Sequence, residues 1–552
     1  MTLIAVSTMV NSLVASWQQP QIQSRLELYQ TNLLLQAAQG QLITDGTNTD
    51  KEDNKNWQQI RRAVLGEEPI KIAQEQYQNA RQANQQMLEA LTKKLSPTSE
   101  TRASSTTKII AQLQEVIPQL DLALGILSVE LGNRQRGREI WQGLLNSQTK
   151  PSNLPKIPRA TQETAKVLLN LWSDPPQQTS QSSSIDAIDA TKESLIKANL
   201  TSWFRDRALN QLYTRQKSSA KLQALQLHQN SQAKKAMGQL LVLTLIPTTS
   251  GLLGMGLLLF LGGQMLLKGR QSILLSPRNS SGIANSGDNL PGDPSSEDSL
   301  SADNRAGVES KNKSAGSLVI PWDGETIWEV LVGGFFFVGQ LLIPYLFSNL
   351  PLGSLNLEVR GKAIAVLASY VLMSVGTLSV LYFALRRFKP LPPGWFPVNW
   401  RGNWFLWGFG GYLAAIPLVI GVSLINQAIW QGKGGSNPIL PLALQGNDIW
   451  SFLIFSTTAS IAAPIFEEII FRGFLLPSLT RYLPAWGAIA ASSLLFAIAH
   501  LSLSEVLPLT VLGMVLGVVY WRSQNLLASM LLHGLWNSGT LISLYILSSG
   551  ST

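Results

Sequence analysis

Two adjacent glutamates and an arginine lie inside a stretch of the chain that is otherwise apolar. Between Ile449 and Pro477 the only charged residues are Glu467, Glu468 and Arg472. A segment of this length and composition predicts a membrane-spanning helix. A charge at the centre of a bilayer costs about 2.5–3.5 kcal/mol on insertion scales, and such residues are functional candidates by default. The rest of the chain must therefore supply partners for these three side chains.

The two ends of the chain differ in composition. Residues 1–236 are polar and rich in Gln, Ser, Lys and Arg, whereas the last 150 residues contain only eight charged side chains. A chain of 552 residues is also too long for one typical domain. We therefore predict an all-α protein in which a soluble helical region over residues 1–236, the head, precedes a polytopic transmembrane helical bundle. The protein should be an integral, multi-pass membrane protein.

Cysteine count and net charge exclude several classes of function. The chain has no cysteine, which excludes disulfides, thiolate catalysis, cysteine-type zinc sites and iron–sulfur clusters. Its net charge is +9. No basic–aromatic motif accompanies this charge, so we expect no nucleic-acid partner. Basic flanks of membrane segments, in contact with anionic lipid, account for it better.

The head contains two features of note. Met1–Trp17 is apolar and has no basic residues at its N-terminal end, unlike a signal peptide. We therefore predict a helix at the membrane interface rather than a cleaved signal peptide. Over Gln119–Leu145 two helical patterns flank a Gly132-Asn133 turn, faintly resembling one unit of a tetratricopeptide repeat. Since one unit is not an array, an irregular helical domain is the alternative. In either case the head is a candidate site for a protein partner.

Apolar segments predict about eight spanning helices. The first is Leu240–Leu267, and residues 271–318, rich in Ser, Asn, Gly and Asp, should form a disordered linker after it. Seven more belong to a membrane body over residues 327–547. They are Ile327–Phe347, Ala363–Leu385, Trp404–Trp430, Ile449–Leu476, Ala485–His500, Glu505–Trp521 and Leu526–Leu547. The distribution of Lys and Arg between the two sides does not decide the orientation.

The three charges of the fourth body segment differ in their geometry. Glu468 and Arg472 are four residues apart with the glutamate first, which is the favourable arrangement for an ion pair on one helix. Glu467 lies about 100° further round the helix and cannot share that geometry. A carboxylate that is not used in the ion pair suits the role of a general base. The alternative is that all three form one structural ion-pair cluster between helices.

The chain has only three histidines, and two of them lie in the apolar body. His228 is in the basic part of the head and is expected at its surface. His500 follows Phe496 by four residues, and His533 precedes Asn537 by four, so each pair shares one helix face. His533 and Asn537 can donate hydrogen bonds to a developing oxyanion. Alternatively, each histidine makes only an interhelical hydrogen bond.

The three spacings together, Glu-Glu-x3-Arg, Phe-x3-His and His-x3-Asn, occur in that order on three apolar segments. In these motifs the sequence resembles the CPBP intramembrane glutamic endopeptidases, which include the type II CAAX prenyl proteases and the bacterial Abi-type proteins. The resemblance covers roughly residues 327–547. It implies that Glu467 and His500 activate the attacking water, and that His533 and Asn537 stabilise the tetrahedral intermediate. The other motif residues are implied to be supporting: Glu468, Arg472 and Phe496.

A metal site is the main alternative for the chemistry. Glu467, His500 and His533 could together supply the two-histidine, one-glutamate ligand set of a zinc site, and the family was long thought to be metal-dependent. However, the chain has no His-Glu-x-x-His helix. The glutamate-base mechanism also uses every motif residue without a metal. We therefore expect no cofactor.

The predicted function is an intramembrane endopeptidase that acts on a membrane-associated protein or peptide within the lipid bilayer. Two alternatives do not involve catalysis. Glutamates and histidines within membrane segments also form proton or ion relays in transporters. The protein could instead be a membrane-anchored scaffold whose head binds a partner. Whether the substrate is prenylated cannot be derived from the residues.

Overall fold

The computed structural model describes residues 2–17, 23–40, 59, 61–94, 100–146, 157–173, 185–275, 319–349, 358–430, 434–435 and 448–549. Within these ranges the chain is helical and forms no strand. The helices before the membrane body are α1 (Thr2–Ser16), α2 (Gln23–Ala38), α3 (Pro69–Lys94), α4 (Glu100–Glu130), α5 (Arg134–Asn146), α6 (Arg159–Leu171), α7 (Ile185–Asn199), α8 (Ser202–Arg215) and α9 (Ser219–Lys268). The fold class predicted from the sequence is confirmed.

The body contains seven further helices, two of which are composite. They are α10 (Gly324–Trp328, Glu329–Leu342 and Ile343–Ser348), α11 (Val359–Arg386), α12 (Trp404–Trp430), α13 (Ile449–Thr457, Thr458–Ala462, Ala463–Glu468, Ile469–Leu475 and Leu476–Leu479), α14 (Ala485–Ile498), α15 (Leu503–Ser523) and α16 (Leu526–Ser549). In α13 two π-helical stretches, Thr458–Ala462 and Ile469–Leu475, flank the turn that carries both glutamates. Such π-stretches are frequent at functional sites.

The predicted helix-turn-helix of the head is formed by the end of α4 and by α5. Gly132 has φ +86°, a conformation that glycine adopts without strain, and it reverses the chain between the two helices. Gly125 leaves space for the indole of Trp141, which is fully buried and donates from Nε1 to the Leu122 carbonyl at 3.2 Å. Close packing of the pair thus follows from small residues at the crossing. The similarity to a tetratricopeptide unit stays a prediction.

One long helical pattern of the head is divided in the structure. Asp186–Gln232 is a long helical pattern in the sequence, and the chain forms α7, α8 and the beginning of α9 there. The breaks coincide with positive φ values at Ser202 (56°) and Lys217 (53°), which a regular helix does not allow. The last helix, α9, then continues for 50 residues from the head through the predicted span Leu240–Leu267.

Seven helices in the described ranges are long and apolar enough to cross a membrane: α9, α10, α11, α12, α13, α15 and α16. The predicted eighth, Ala485–His500, forms only the 14-residue α14. Pro484 precedes its first turn, and Leu501, at φ 55°, redirects the chain into α15. By length, seven of the roughly eight predicted spans are confirmed within the described ranges. Of the predicted linker 271–318, residues 276–318 lie outside the described residues.

The head helices after α1 contact the body at one end, which we call the head side. Gln239 of α9 donates to Ser549 Oγ at the end of α16 (2.8 Å), and Gln427 near the end of α12 donates to Glu27 of α2 (3.4 Å). The last turns of α12 and α16 therefore lie on the head side. The first turns of α12 and α16 lie on the opposite side, because these helices cross the body. The ring of Phe452 in the first turns of α13 packs on Tyr545 near the end of α16, so α13 begins on the head side and ends on the opposite side. Trp322, just before α10, donates to Ser478 near the end of α13 at 2.9 Å, so α10 also begins on the opposite side.

Candidate active site

The second glutamate and the arginine of α13 form the expected ion pair. Arg472 Nη1 donates to Glu468 Oε1 at 2.8 Å, and their side chains are 1% and 0% exposed. Arg472 Nη2 also donates to the Gly513 carbonyl of α15 at 3.2 Å. A buried charge must be paired and hydrogen-bonded, because desolvation otherwise exceeds the electrostatic gain. This pair therefore holds α13 against α15.

His533 joins the same cluster from α16. Its Nδ1 lies 2.9 Å from Glu468 Oε1. Because Glu468 is ion-paired with Arg472, its carboxylate accepts and the imidazole Nδ1–H donates. Glu468, Arg472 and His533 thus link three helices. This part of the polar set matches the alternative predicted from the sequence, a structural ion-pair cluster.

Glu467, the neighbouring residue, lies beside that cluster but makes no hydrogen bond to its side chains in the described ranges. The hydroxyl of Tyr370 on α11 donates to its Oε1 at 2.9 Å. Its Oε2 is buried, has no hydrogen-bond partner in the described part of the chain, and lies 3.9 Å from His533 Nε2. The side chain is 15% exposed. Glu467 therefore has one oxygen held by the protein and one free to accept from a water molecule.

Tyr370 is the site residue that sequence reasoning missed. The sequence feature that could have indicated it is a tyrosine within a mostly apolar spanning helix. A buried tyrosine hydroxyl usually finds a hydrogen-bond partner. The same helix also carries Tyr382, which is exposed. Nothing in the spacing distinguishes the two, so the contact with Glu467 needs the tertiary structure.

His500 lies just beyond the end of α14. Its Nδ1 is 2.9 Å from the carbonyl oxygen of Phe496, one helical turn earlier. A carbonyl can only accept, so Nδ1 carries the proton, and Nε2 of the neutral ring keeps its lone pair. The hydrogen bond to Phe496 thus fixes the tautomer in which Nε2 is able to accept a proton.

Phe496 brings the motif residues together. The guanidinium of Arg472 lies 4.5 Å from its ring centroid, a cation–π contact. The rings of His500 and His533 approach it edge-on, with centroids at 4.9 Å and 5.7 Å. Phe496 is fully buried. The phenylalanine of the second motif therefore packs against residues of all three motifs.

Asn537 makes a contact that the sequence did not indicate. Its Nδ2 donates to the carbonyl of Ala459 at 2.7 Å, within the first π-helical stretch of α13. An amide nitrogen carries two hydrogens, so one remains for another acceptor. The expected pairing of His533 and Asn537 around a substrate oxygen stays a prediction.

Whether Glu467, His500 and His533 bind zinc, the alternative to the metal-free mechanism, stays untested. In the described ranges no three His, Cys, Asp or Glu side chains lie close enough together to hold a metal ion. His533 donates from Nδ1 to Glu468, and its Nε2 lies 3.9 Å from Glu467 Oε2. The third histidine, His228, is exposed on α9 of the head, as predicted.

Comparison with known proteins identifies the segment that contains this site. Residues 449–539 match the family model described as Rce1-like, type II CAAX prenyl endopeptidase. Searches of the curated proteins and of the solved structures found no match. The matched residues contain all three motifs, and the match supports a CAAX-type intramembrane protease in general terms. The predicted resemblance is thereby confirmed: residues 449–539 of this multi-pass membrane protein match the Rce1-like family of integral membrane proteases.

Proposed function

We propose that the protein is a glutamic intramembrane endopeptidase, which hydrolyses peptide bonds of membrane-associated proteins without a metal. The observation that carries the proposal is the difference between the two adjacent glutamates. Both keep one buried oxygen with no hydrogen-bond partner in the described ranges, but Glu468 is fully buried and neutralised by Arg472 and His533, whereas Glu467 is 15% exposed and accepts only from the neutral hydroxyl of Tyr370. A base needs such an unpaired oxygen within reach of its proton donor.

In the proposed reaction Glu467 Oε2 takes a proton from a water molecule, whose oxygen attacks the peptide carbonyl carbon. Tyr370 holds Oε1, so the carboxylate presents Oε2 alone. His500 Nε2 accepts the second hydrogen of the same water and orients it. The carbonyl oxygen becomes an oxyanion. When the intermediate collapses, the proton on Glu467 passes to the leaving nitrogen and the C–N bond breaks.

The oxyanion is stabilised by donors on α16. His533 already donates Nδ1–H to Glu468, so its Nε2 donates only when the ring carries both protons. The adjacent carboxylates of Glu468 and Glu467 compensate that positive charge. The second amide hydrogen of Asn537 is the other donor. Preorganised donors of this kind contribute about 2.7–4 kcal/mol each to an acyl-transfer transition state.

The experiment is a cleavage assay in proteoliposomes with a library of membrane-associated peptides. It compares wild type with Glu467→Gln, and uses Glu329→Gln as a matched control, since Glu329 is an exposed body carboxylate paired with Arg387 at 3.4 Å. We expect Glu467→Gln to lose about 10²–10⁴-fold in rate. The control should keep wild-type activity. A strong chelator should leave the activity of the wild type unchanged.

Two results would contradict the proposal. Full activity of Glu467→Gln would exclude Glu467 as the general base. Inhibition by the chelator would show that the reaction depends on a metal. A pH-gradient-coupled ion flux in liposomes, without cleavage, supports the relay instead. Under the proposed function the head recruits substrate or a partner protein, and prenylated substrates belong to the library as one class among several.

A further inference from the structure

The first helix, α1, has the composition of a membrane helix but not the usual length. Thr2–Ser16 contains no charged residue. With 15 residues it is shorter than the roughly 17–25 that normally cross a bilayer, so length alone does not identify it as a span. Its position in the bundle is more informative, because its two ends contact opposite ends of the body.

The beginning of α1 lies on the side of the body opposite the head. Trp328 Nε1 in the first turns of α10 donates to Thr2 Oγ1 at 3.1 Å. The next residue of α10, Glu329, is paired with Arg387 just after the end of α11. An exposed ion pair next to a tryptophan marks the boundary of an apolar layer. Thr2 is therefore at that boundary.

The end of α1 lies at the head side. The backbone N–H of Leu503, the first residue of α15, donates to Ser16 Oγ at 3.2 Å. Trp17 packs edge-on against Trp430, the last residue of α12, with ring centroids 5.5 Å apart. The same end of α12 contacts the head through Gln427. A 15-residue helix rises about 22 Å, which spans most of the roughly 30 Å hydrocarbon layer.

Between these ends α1 has one face on the body and one face free. Ala5 is buried in the body core with residues of α10, such as Val330 and Phe335. On the outer face Leu3 is 86% exposed and Val14 61%, and Ile4, Val6 and Val10 are exposed as well. Such a row of aliphatic side chains is unfavourable in water but matches the acyl chains of lipid.

We infer that α1 crosses the bilayer beside α10, with Val6, Val10 and Val14 of its outer face against lipid acyl chains and Leu3 at the water boundary beside Thr2. Thr2 then lies on the side opposite the head, and Trp17 on the head side. The short length is accommodated by local thinning of the bilayer or by polar residues at the ends. In this arrangement α1 lies outside α10. Phe335 of α10 stacks on Phe466, the residue before Glu467, with ring centroids 6.0 Å apart. The inference does not depend on the proposed protease activity.

The absence of cysteine allows a direct test by single-cysteine labelling of the full-length protein. Leu3→Cys, Val10→Cys and Trp17→Cys are treated with a membrane-impermeant maleimide in spheroplasts and in inverted vesicles. Lys221→Cys reports the head side, and Arg401→Cys, exposed before α12, reports the opposite side. Each variant is compared with wild type by size-exclusion elution, so that only folded protein is scored.

We expect Leu3→Cys to label in the same preparation as Arg401→Cys, and Trp17→Cys in the same preparation as Lys221→Cys. Val10→Cys should label in neither until detergent dissolves the bilayer. Labelling of both Leu3→Cys and Trp17→Cys together with Lys221→Cys would show a helix lying on the head side and overturn the inference. So would labelling of Val10→Cys in an intact bilayer, because that places the middle of α1 in water.

Discussion

The head and the body of this protein both contain charged pairs, but they place them in different surroundings. In the head, Glu193 accepts from Lys197 at 2.7 Å and from Lys221 at 2.9 Å, and both lysines are about half exposed. In the body, Glu468 and Arg472 make a contact of similar length, 2.8 Å, with no exposure to solvent. Contact distance therefore does not distinguish the two pairs. The medium around them does.

That difference determines what each pair contributes. An exposed pair exchanges water for a partner and stabilises by about 0.2–1 kcal/mol. A buried pair in an apolar body has no water to replace a lost partner, so removing one charge is costly even where the intact pair adds little. The body therefore depends on completing the Glu468 cluster, whereas Glu467 beside it accepts a hydrogen bond only from the neutral hydroxyl of Tyr370 in the described ranges.

The largest expected effect is on the stability of the body. Arg472→Met leaves the carboxylate of Glu468 buried beside His533 without its arginine, and we expect a loss of about 3–5 kcal/mol in the free energy of unfolding. The measurement is thermal or denaturant unfolding of the full-length protein in detergent. The double variant Glu468→Gln, Arg472→Met removes both charges and should recover most of the loss. A single variant as stable as wild type would contradict the buried-pair argument.

The same contrast separates what the sequence predicts from what it leaves open. The Glu468–Arg472 pair follows from two residues four apart on one helix, which is local information. The contacts of Glu468 with His533 and of Glu467 with Tyr370 join residues 65 and 97 positions apart. Helical periodicity gives the face of each side chain on its own helix, but not which helix packs against that face.

Element lengths show the same limit. Apolar composition identified the spans, but it did not show that α14 ends at Ile498, because that end depends on the turn at Leu501. Composition also assigned Met1–Trp17 to the membrane interface, whereas contacts at its two ends, with Trp328 and Leu503, place it along the body. Short helices need tertiary contacts for their assignment, since their own length is not decisive.

A smaller effect is expected at the glutamate outside the cluster. Tyr370→Phe removes the hydroxyl that holds Glu467 Oε1, so the carboxylate no longer presents Oε2 in one orientation. Under the proposed function, kcat should fall about tenfold, or ~1.4 kcal/mol, with KM nearly unchanged, because the hydroxyl touches the base and not the substrate. The matched control is Tyr382→Phe, on the exposed face of the same helix.

Unfolding measurements separate positioning from stability at this site. Tyr370→Phe should keep most of its stability, because Glu467 retains access to water in place of the lost donor. If kcat and KM of Tyr370→Phe equal those of wild type while Glu467→Gln is inactive, the tyrosine has no positioning role and the base assignment still stands. A loss confined to KM would also reject the role given to Tyr370.

The smallest effect is expected in the head, and it depends on pH. Hydrogen bonds from Lys197 and then Lys221 lower the pKa of Glu193 to about 2. A carboxyl whose pKa is depressed by folding contributes stability above its unfolded pKa, near 4.5, and loses it as the pH falls towards 2.

Glu193→Gln should therefore weaken the local stability of α7 by about 0.2–1 kcal/mol at pH 7. Hydrogen exchange of backbone amides in residues 185–225 of the full-length protein measures this difference, which should shrink between pH 4.5 and pH 3. A difference that stays constant over this interval would mean that Glu193 stabilises the head by packing and not by its charge.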